Sequence, residues 1–197
     1  MDETRPPPAT EALAGSLREG NRQSFAALYE RVAPSLYAWS ALRAPRGVDP
    51  VDMVGEIWLR ALAGLGTFDP KRASFRAWIF GIAKKVLLQL LRDLDRRQSR
   101  VQGEASSSER DDPAAIPDSV TSLSRRCACD EALALFLARV AGLGELEREL
   151  LIYCGLEGFS CGEAATRLGL SEEAASKRWQ RLRAELQSRN WVADLLA

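Results

Sequence analysis

SCGEAATRLGLSEEAASKRWQRLRAEL, residues 160–186, decides the fold. Two helix starts lie in it, separated by a turn. Ser160 is placed to cap the first helix, and Glu163, three residues on, can reach back to close a capping box. Ala164, Ala165 and Leu168 make one apolar face. Gly169 follows, where a positive φ ends a helix cheaply. Ser171 is a second N-cap, and Glu172 and Glu173 set negative charge on the positive end of the next helix dipole. That second helix carries Ala175, Trp179, Leu182 and Leu186 on one stripe and Ser176, Lys177, Gln180, Arg181 and Ala184 on another face. Small Ala165 lets the two helices approach closely. The layout predicts a helix-turn-helix whose second helix enters a major groove. Taken alone, the segment also fits a plain helical hairpin with a solvated basic face.

Outward from this stretch, the pattern stays helical. Leu143 to Gly158 reads as a helix closed by Gly158, preceded by one that starts near Leu123 and carries Leu133, Phe136 and Val140. From Ser99 to Ser122 apolar periodicity stops, and SSSERDDPAAIPDS has the composition of a linker. Upstream, Ser74 opens a long helix with Phe75, Trp78, Ile79, Ile82, Val86, Leu87 and Leu90. Asp49 caps a helix with Pro50 at its first position, and Asp52, Glu56 and Arg60 fall four apart on one face of it. That row reads either as i to i+4 surface pairs or as a docking face for a partner. A helix from Arg22 to Leu42, bent before Pro34, and a short one from Thr10 to Glu19 complete the chain. The expected organisation is all-α: a disordered N-terminus over 1–9, a helical domain over 10–98, a flexible acidic linker over 99–122 and a helix-turn-helix domain over 123–197.

Composition narrows the function. The 197 residues carry no net charge, so the whole chain is not a generic polyanion binder. The distribution is uneven, however. Lys71, Arg72, Arg76, Lys84, Lys85, Arg92, Arg96, Arg97 and Arg100 are opposed over their span only by Asp93 and Asp95, whereas residues 104–131 lean acidic. The cationic helix reads either as a solvated bundle helix or as a phosphate-tracking surface with aromatics at its N-terminal end, suited to melted DNA. There is no histidine, which removes the commonest general base and metal ligand. Cys127, Cys129, Cys154 and Cys161 do not have a usual zinc spacing, and without a secretory signal they read as reduced. Neither metal nor cofactor is expected. The start MDETRPPPAT is not a signal peptide, and no apolar run reaches membrane-spanning length, so the expected location is cytoplasmic.

The ordered features resemble the extracytoplasmic-function class of bacterial RNA polymerase sigma factors. FAALYERVAPSLYAW, residues 25–39, looks like the start of sigma domain 2. DPVDMVGEIWLRAL, residues 49–62, resembles the acidic motif of the family. FDPKRASFRAWIFGIAKKVL, residues 68–87, resembles the promoter-melting segment, and residues 146–186 look like sigma domain 4. The resemblance implies a promoter-specificity subunit without enzymatic chemistry, monomeric when free. Its partners would be core RNA polymerase, through the β′ coiled coil and the β flap, then promoter DNA and an anti-sigma factor, with no membrane insertion. Asp52, Glu56 and Arg60 would meet the polymerase. Phe68, Lys71, Arg72, Ser74, Phe75, Arg76, Lys84, Lys85 and Arg92 would engage and open the minus-10 element. Ser176, Lys177, Gln180 and Arg181 would read minus-35 bases, and Arg178 and Arg183 would hold phosphates. The linker would thread the polymerase channel that later holds RNA. The chain departs from the family at Gly55, where Gln is usual, at Lys84-Lys85 in place of Arg-Asn, and at Ala175 in place of a β-branched residue.

Two other readings remain open at this stage. One is a sigma-like regulator that binds an anti-sigma factor or polymerase without initiating, favoured by Gly55. The other is a stand-alone helix-turn-helix repressor, opposed by Glu172, Glu173 and Glu185 on the last helix. No nucleophile–base pair, carboxylate dyad or metal cluster has a recognisable spacing, so an enzyme is not expected.

Overall fold

A computed structural model describes residues 9–21, 23–101 and 131–187. Within them every regular element is helical. The elements are α1 (Ala9–Arg18), α2 (Gln23–Arg43), α3 (Pro50–Gly64), a 3₁₀ turn (Leu65–Thr67), α4 (Phe75–Val101), α5 (Glu131–Ala141), α6 (Glu145–Leu150), a π turn (Leu151–Leu156), α7 (Cys161–Leu168) and α8 (Glu172–Gln187). The all-α class is therefore the observed one. Most of the predicted linker, the first eight residues and the last ten lie outside the described residues.

Local chemistry sets most of the boundaries. The Asp49 carboxylate accepts the Val51 N–H at 2.8 Å, and Pro50 occupies the first position of α3, where a missing N–H leaves nothing unsatisfied. Ser74 accepts from the Ala77 N–H at 3.1 Å at the start of α4. A second acceptor there comes from far away: the Glu11 carboxylate of α1 takes the Phe75 N–H at 3.0 Å. The first helix, expected from Thr10 to Glu19, runs over Ala9–Arg18, with Thr10 one residue past its start. The predicted capping box is present. The Ser160 hydroxyl accepts the Glu163 N–H at 3.2 Å, and Glu163 accepts the Ser160 N–H at 2.9 Å. Gly169 ends α7 at φ +66°, and the Ser171 hydroxyl accepts the Ala174 N–H at 3.2 Å at the head of α8.

The expected single helix over 143–158 is instead α6 continued by a wider turn. The Glu157 N–H bonds the Ile152 carbonyl at 2.8 Å, an i to i+5 pattern. Gly158 at φ +77° then lets the Phe159 N–H reach the Tyr153 carbonyl at 2.9 Å and stop the run.

Packing gives one large core and one small one. Trp39, Trp58, Tyr29, Phe75 and Phe80 are fully buried between α2, α3 and α4. Their rings meet edge-on or tilted, with Tyr29–Trp58 centroids 5.0 Å apart and Phe68–Phe75 5.5 Å apart at 89°. The same core takes in Leu133, Phe136 and Val140 of α5, Leu151, Ile152 and Leu156 of the π turn, and Leu182 and Leu186 of α8. α2 packs directly against both α5 and the π turn. The C-terminal half is thus seated on the N-terminal half. The small core is Leu150, Ala164, Ala165 and Ala175, which draws α6, α7 and α8 close together as the short side chains require.

Candidate polymerase and nucleic-acid interfaces

On α8 the buried stripe and the exposed face separate as the heptad spacing requires. Ala175, Leu182 and Leu186 are buried and Trp179 is half-buried, while Lys177, Arg178, Gln180, Arg181 and Arg183 are exposed. Ser176 is half-buried at the edge of that face. Lys177 pairs with Glu173 one turn back at 2.6 Å, and Arg178 with Glu147 of α6 at 3.4 Å. Such exposed pairs contribute only about 0.2–1 kcal/mol and open readily. Glu185 is held by Arg139 of α5, which takes one acidic group off the face. The side chains with the chemistry to read bases therefore stand in solvent on one rigid helix.

On α3 the acidic row splits. Glu56 and Arg60 pair with each other at 2.6 Å, whereas Asp52 is exposed with no ion-pair partner among the described residues. Asp49 is engaged as the helix cap. Gly55, one residue before Glu56, is buried.

The third surface differs most from the expectation. Lys71, Arg72, Ser74, Lys85 and Arg92 are exposed, as a DNA-facing set should be. Phe68 and Phe75 are not, at 3% and 1% exposure. They were expected among the promoter-melting residues, but in this structure both rings are core. Phe75 packs on Trp58 and Trp78, Phe68 packs on Phe75 and Trp78, and Arg18 of α1 clamps the Phe68 carbonyl at 3.0 Å. Neither ring is free to stack on a base here.

Arg76 and Lys84 were also expected to face DNA, and they face the C-terminal half instead. Arg76 donates to the Leu156 carbonyl at 2.8 Å, the Gly155 carbonyl at 2.9 Å and the Ser35 hydroxyl at 3.3 Å. These carbonyls belong to the end of the π turn, where helix acceptors lack partners of their own. Burial pulls the guanidinium down to about 10, which leaves it cationic at neutral pH. Lys84 pairs with Glu157 at 2.6 Å and lies over the Phe159 ring at 4.4 Å.

Glu157, which sequence reasoning missed, is the centre of this cluster. Its carboxylate is buried, with 2% of the side chain exposed, and also accepts the Trp39 indole N–H at 2.8 Å. Stranding one member of a fully buried ion pair costs about 3–5 kcal/mol, less here because Lys84 keeps 37% of its side-chain surface in water. Glu157 still outweighs the surface pairs. A carboxylate closing the apolar run LLIYCGL was the one available signal. A further pair, Arg43–Glu149 at 2.6 Å, joins α2 to α6.

No group of three or more His, Cys, Asp or Glu residues that could hold a metal occurs among the described residues, and no described helix is long and apolar enough to cross a membrane. Cys154 hydrogen-bonds to Cys161, and burial, then the neighbouring thiol, push it up to about 12, so it is a poor nucleophile. Cys127 and Cys129 lie outside the described residues.

A helix-turn-helix with solvent-facing arginines, carried beside an acidic helix and a cationic one, belongs to the class of DNA-binding transcription proteins. Residues 28–97 match the family Sigma-70 region 2. The chain is 33% identical over 187 residues to the RNA polymerase sigma factor CnrH of Cupriavidus metallidurans, covering 93% of this chain and 95% of that protein. It is 30% identical over 181 residues to the RNA polymerase sigma factor NccH of Alcaligenes xylosoxydans xylosoxydans, covering 91% and 94%. With the ECF RNA polymerase sigma factor BldN of Streptomyces coelicolor it shares 25% over 165 residues, 82% of this chain and 58% of that one. Among solved structures it is similar to CnrH in complex with the cytosolic domain of CnrY, at 26% identity and a TM-score of 0.44, covering 92% and 96%. The chain belongs to the RNA polymerase sigma factors, of the extracytoplasmic-function type.

Proposed function

We propose that this chain directs core RNA polymerase to a two-part promoter and helps open its minus-10 region. In this reading residues 10–98 meet the polymerase and the minus-10 element, 99–122 form the connector, and 123–197 read the minus-35 element. α8 supplies the upstream readout, with Arg181 suited to guanine and Gln180 to adenine through paired hydrogen bonds. Ser176 and Lys177 complete the base-reading edge, and Arg178 and Arg183 hold phosphates. Asp52, Glu56 and Arg60 form the polymerase contact, with Asp52 its most available charge. Lys71, Arg72, Ser74, Lys85 and Arg92 track the melted strand, joined by Arg76 and Lys84 once these are released from the C-terminal half. Phe68 and Phe75 serve by holding the strand-facing loop in place. A protein that withholds the factor from polymerase, an anti-sigma factor, belongs to the same reading.

The observation that carries this proposal is the exposed face of α8, set on a rigid helix-turn-helix in a chain whose N-terminal half matches Sigma-70 region 2. The test is binding of the purified chain to bacterial core polymerase, followed by selection of promoter DNA with the assembled complex. Enrichment of a two-part sequence is expected. Polymerase binding without enrichment would leave a regulator that occupies the enzyme. No binding would point to Gly55 and to a role confined to protein partners.

A further inference from the structure

Two charged residues of α1 hold the two ends of one loop. Glu11 and Arg18 stand seven residues apart, two turns of helix, so they share a face and span about 10 Å. Arg18 donates to the Phe68 carbonyl at 3.0 Å, and Glu11 accepts the Phe75 N–H at 3.0 Å. Between these ends runs DPKRAS, residues 69–74, which presents Lys71 and Arg72 to solvent. Inside it Asp69 closes the backbone. Its carboxylate accepts the Lys71 N–H at 2.9 Å, and its carbonyl accepts the Arg72 and Ala73 N–H groups at 3.0 and 3.3 Å. Each of these bonds takes a backbone group of the loop, so the Lys71 and Arg72 side chains stay available for a ligand. Apolar packing already attaches α1 to the domain: Ala14 is fully buried, and Leu13 and Leu17 pack on the same core. Glu11 is also not the most stable choice at its place. Its second oxygen is buried without a hydrogen-bond partner among the described residues, a cost that an apolar side chain would avoid.

We propose that Glu11 and Arg18 are positioning residues for promoter opening: α1 fixes both ends of the loop over 68–75, and the fixed loop presents Lys71 and Arg72 in the conformation that receives the melted minus-10 strand. The inference deepens the function proposed above and rests on it. A loop ordered before DNA arrives has less freedom to lose on binding. Neither residue touches DNA in this role, and Glu11 has the wrong sign to do so. Removing its charge should by itself strengthen attraction to a phosphate strand. Losing the Glu11 acceptor and losing the Glu11 charge therefore act in opposite directions, and an experiment can tell them apart.

The test assembles the full chain with bacterial core polymerase on the promoter that the wild-type complex selects. Retention of the duplex is measured separately from permanganate reactivity of unpaired thymines in the minus-10 region. Glu11→Ala and Arg18→Ala should bind core polymerase and retain the duplex as wild type does, but open it about tenfold less, as when one or two long side chains must be ordered on binding. Glu11→Gln removes the same charge but keeps an oxygen for the Phe75 N–H, and should open the promoter at least as well as wild type. In the free chain, hydrogen exchange over 71–75 should accelerate in Glu11→Ala and not in Glu11→Gln. Circular dichroism checks that each variant is folded. A folded Glu11→Ala with wild-type opening or unchanged exchange overturns the proposal, as does an equal loss of opening in Glu11→Gln. If Glu11→Ala does not fold, Arg18→Ala at its exposed site decides, and wild-type opening there overturns the proposal. Weaker duplex retention in Arg18→Ala, with a shallower salt dependence, would make Arg18 a phosphate contact and remove it from the positioning pair. A wild-type complex that opens no promoter defeats the functional reading, and the positioning role falls with it. A wild-type complex that opens while both alanine variants open equally defeats the positioning role alone.

Discussion

Ser160 and Glu163 satisfy each other at the head of α7, and the pair shows how much a single residue decides. Bonds from the Ser160 backbone and then its hydroxyl, with Arg167 nearby, hold the Glu163 carboxyl below its ordinary range. A depressed folded-state value means that this contribution is present above the unfolded range and is lost as pH falls through the folded one. Ser160→Ala should lower stability by about 1 kcal/mol at neutral pH. The difference from wild type should shrink in acid, as read from urea midpoints at both pH values. A constant difference would place the effect outside the capping box. Arg181 is the residue on which specificity turns. Arg181→Ala should lose about 1–3 kcal/mol of discrimination at one position of the upstream element. Competition between matched and scrambled promoters checks this, and an equal loss on both would make Arg181 a phosphate contact. These residues were legible because caps and helix faces are local properties of the sequence. Glu157 was not legible, because its meaning depends on Trp39 and Lys84, which are distant in the chain.

Elements show the same division between local and distant causes. α3, α7 and α8 follow from apolar period and caps, and the turn at Gly169 follows from the one residue that tolerates φ +66°. Gly169→Ala should therefore cost about 1 kcal/mol, even though nothing lies within 4 Å of the position a Cβ would take. An unchanged urea midpoint would show that the turn relaxes out of the left-handed region. The π turn was illegible, since the sequence over 151–156 looks like ordinary helix and the carbonyls it presents are satisfied by Arg76 from another element. The same holds for the start of α4. Phe68 and Phe75 were expected to engage the minus-10 element, and Glu11, Arg18 and Trp58 hold this segment with both rings in the core, by packing and hydrogen bonds that no local pattern reports. On α3 the relevant contrast is between the engaged Glu56–Arg60 pair and the exposed Asp52. Asp52→Ala should weaken core polymerase binding several-fold while circular dichroism stays native. Unchanged affinity would remove Asp52 from the docking face.

At the scale of the molecule, the question is what holds the helix-turn-helix together. The fully buried part of its own core is one leucine and three alanines, with Leu146, Tyr153, Cys154, Leu168 and Leu170 half-buried around them, and an alanine buries far less apolar surface than a leucine. Leu182 and Leu186 of α8 reach instead into the main core, with Leu151, Ile152 and Leu156 of the π turn in the same cluster. The recognition helix therefore takes much of its stability from the π turn that precedes the two-helix motif. Leu182→Ala should cost about 2–5 kcal/mol, the range for truncating a buried leucine, and the loss should not stay local. Hydrogen exchange of the α7 and α8 amides should accelerate strongly, since their protection depends on that attachment. Amides of α2 and α3 should change less, because Phe25, Tyr29 and Trp58 form an aromatic centre that does not involve α8. If α7 and α8 kept wild-type protection in Leu182→Ala, the small alanine core would be sufficient by itself, and the helix-turn-helix would have to be treated as an independently stable unit. If protection were lost evenly across the chain, the continuous core would be unfolding as one cooperative body.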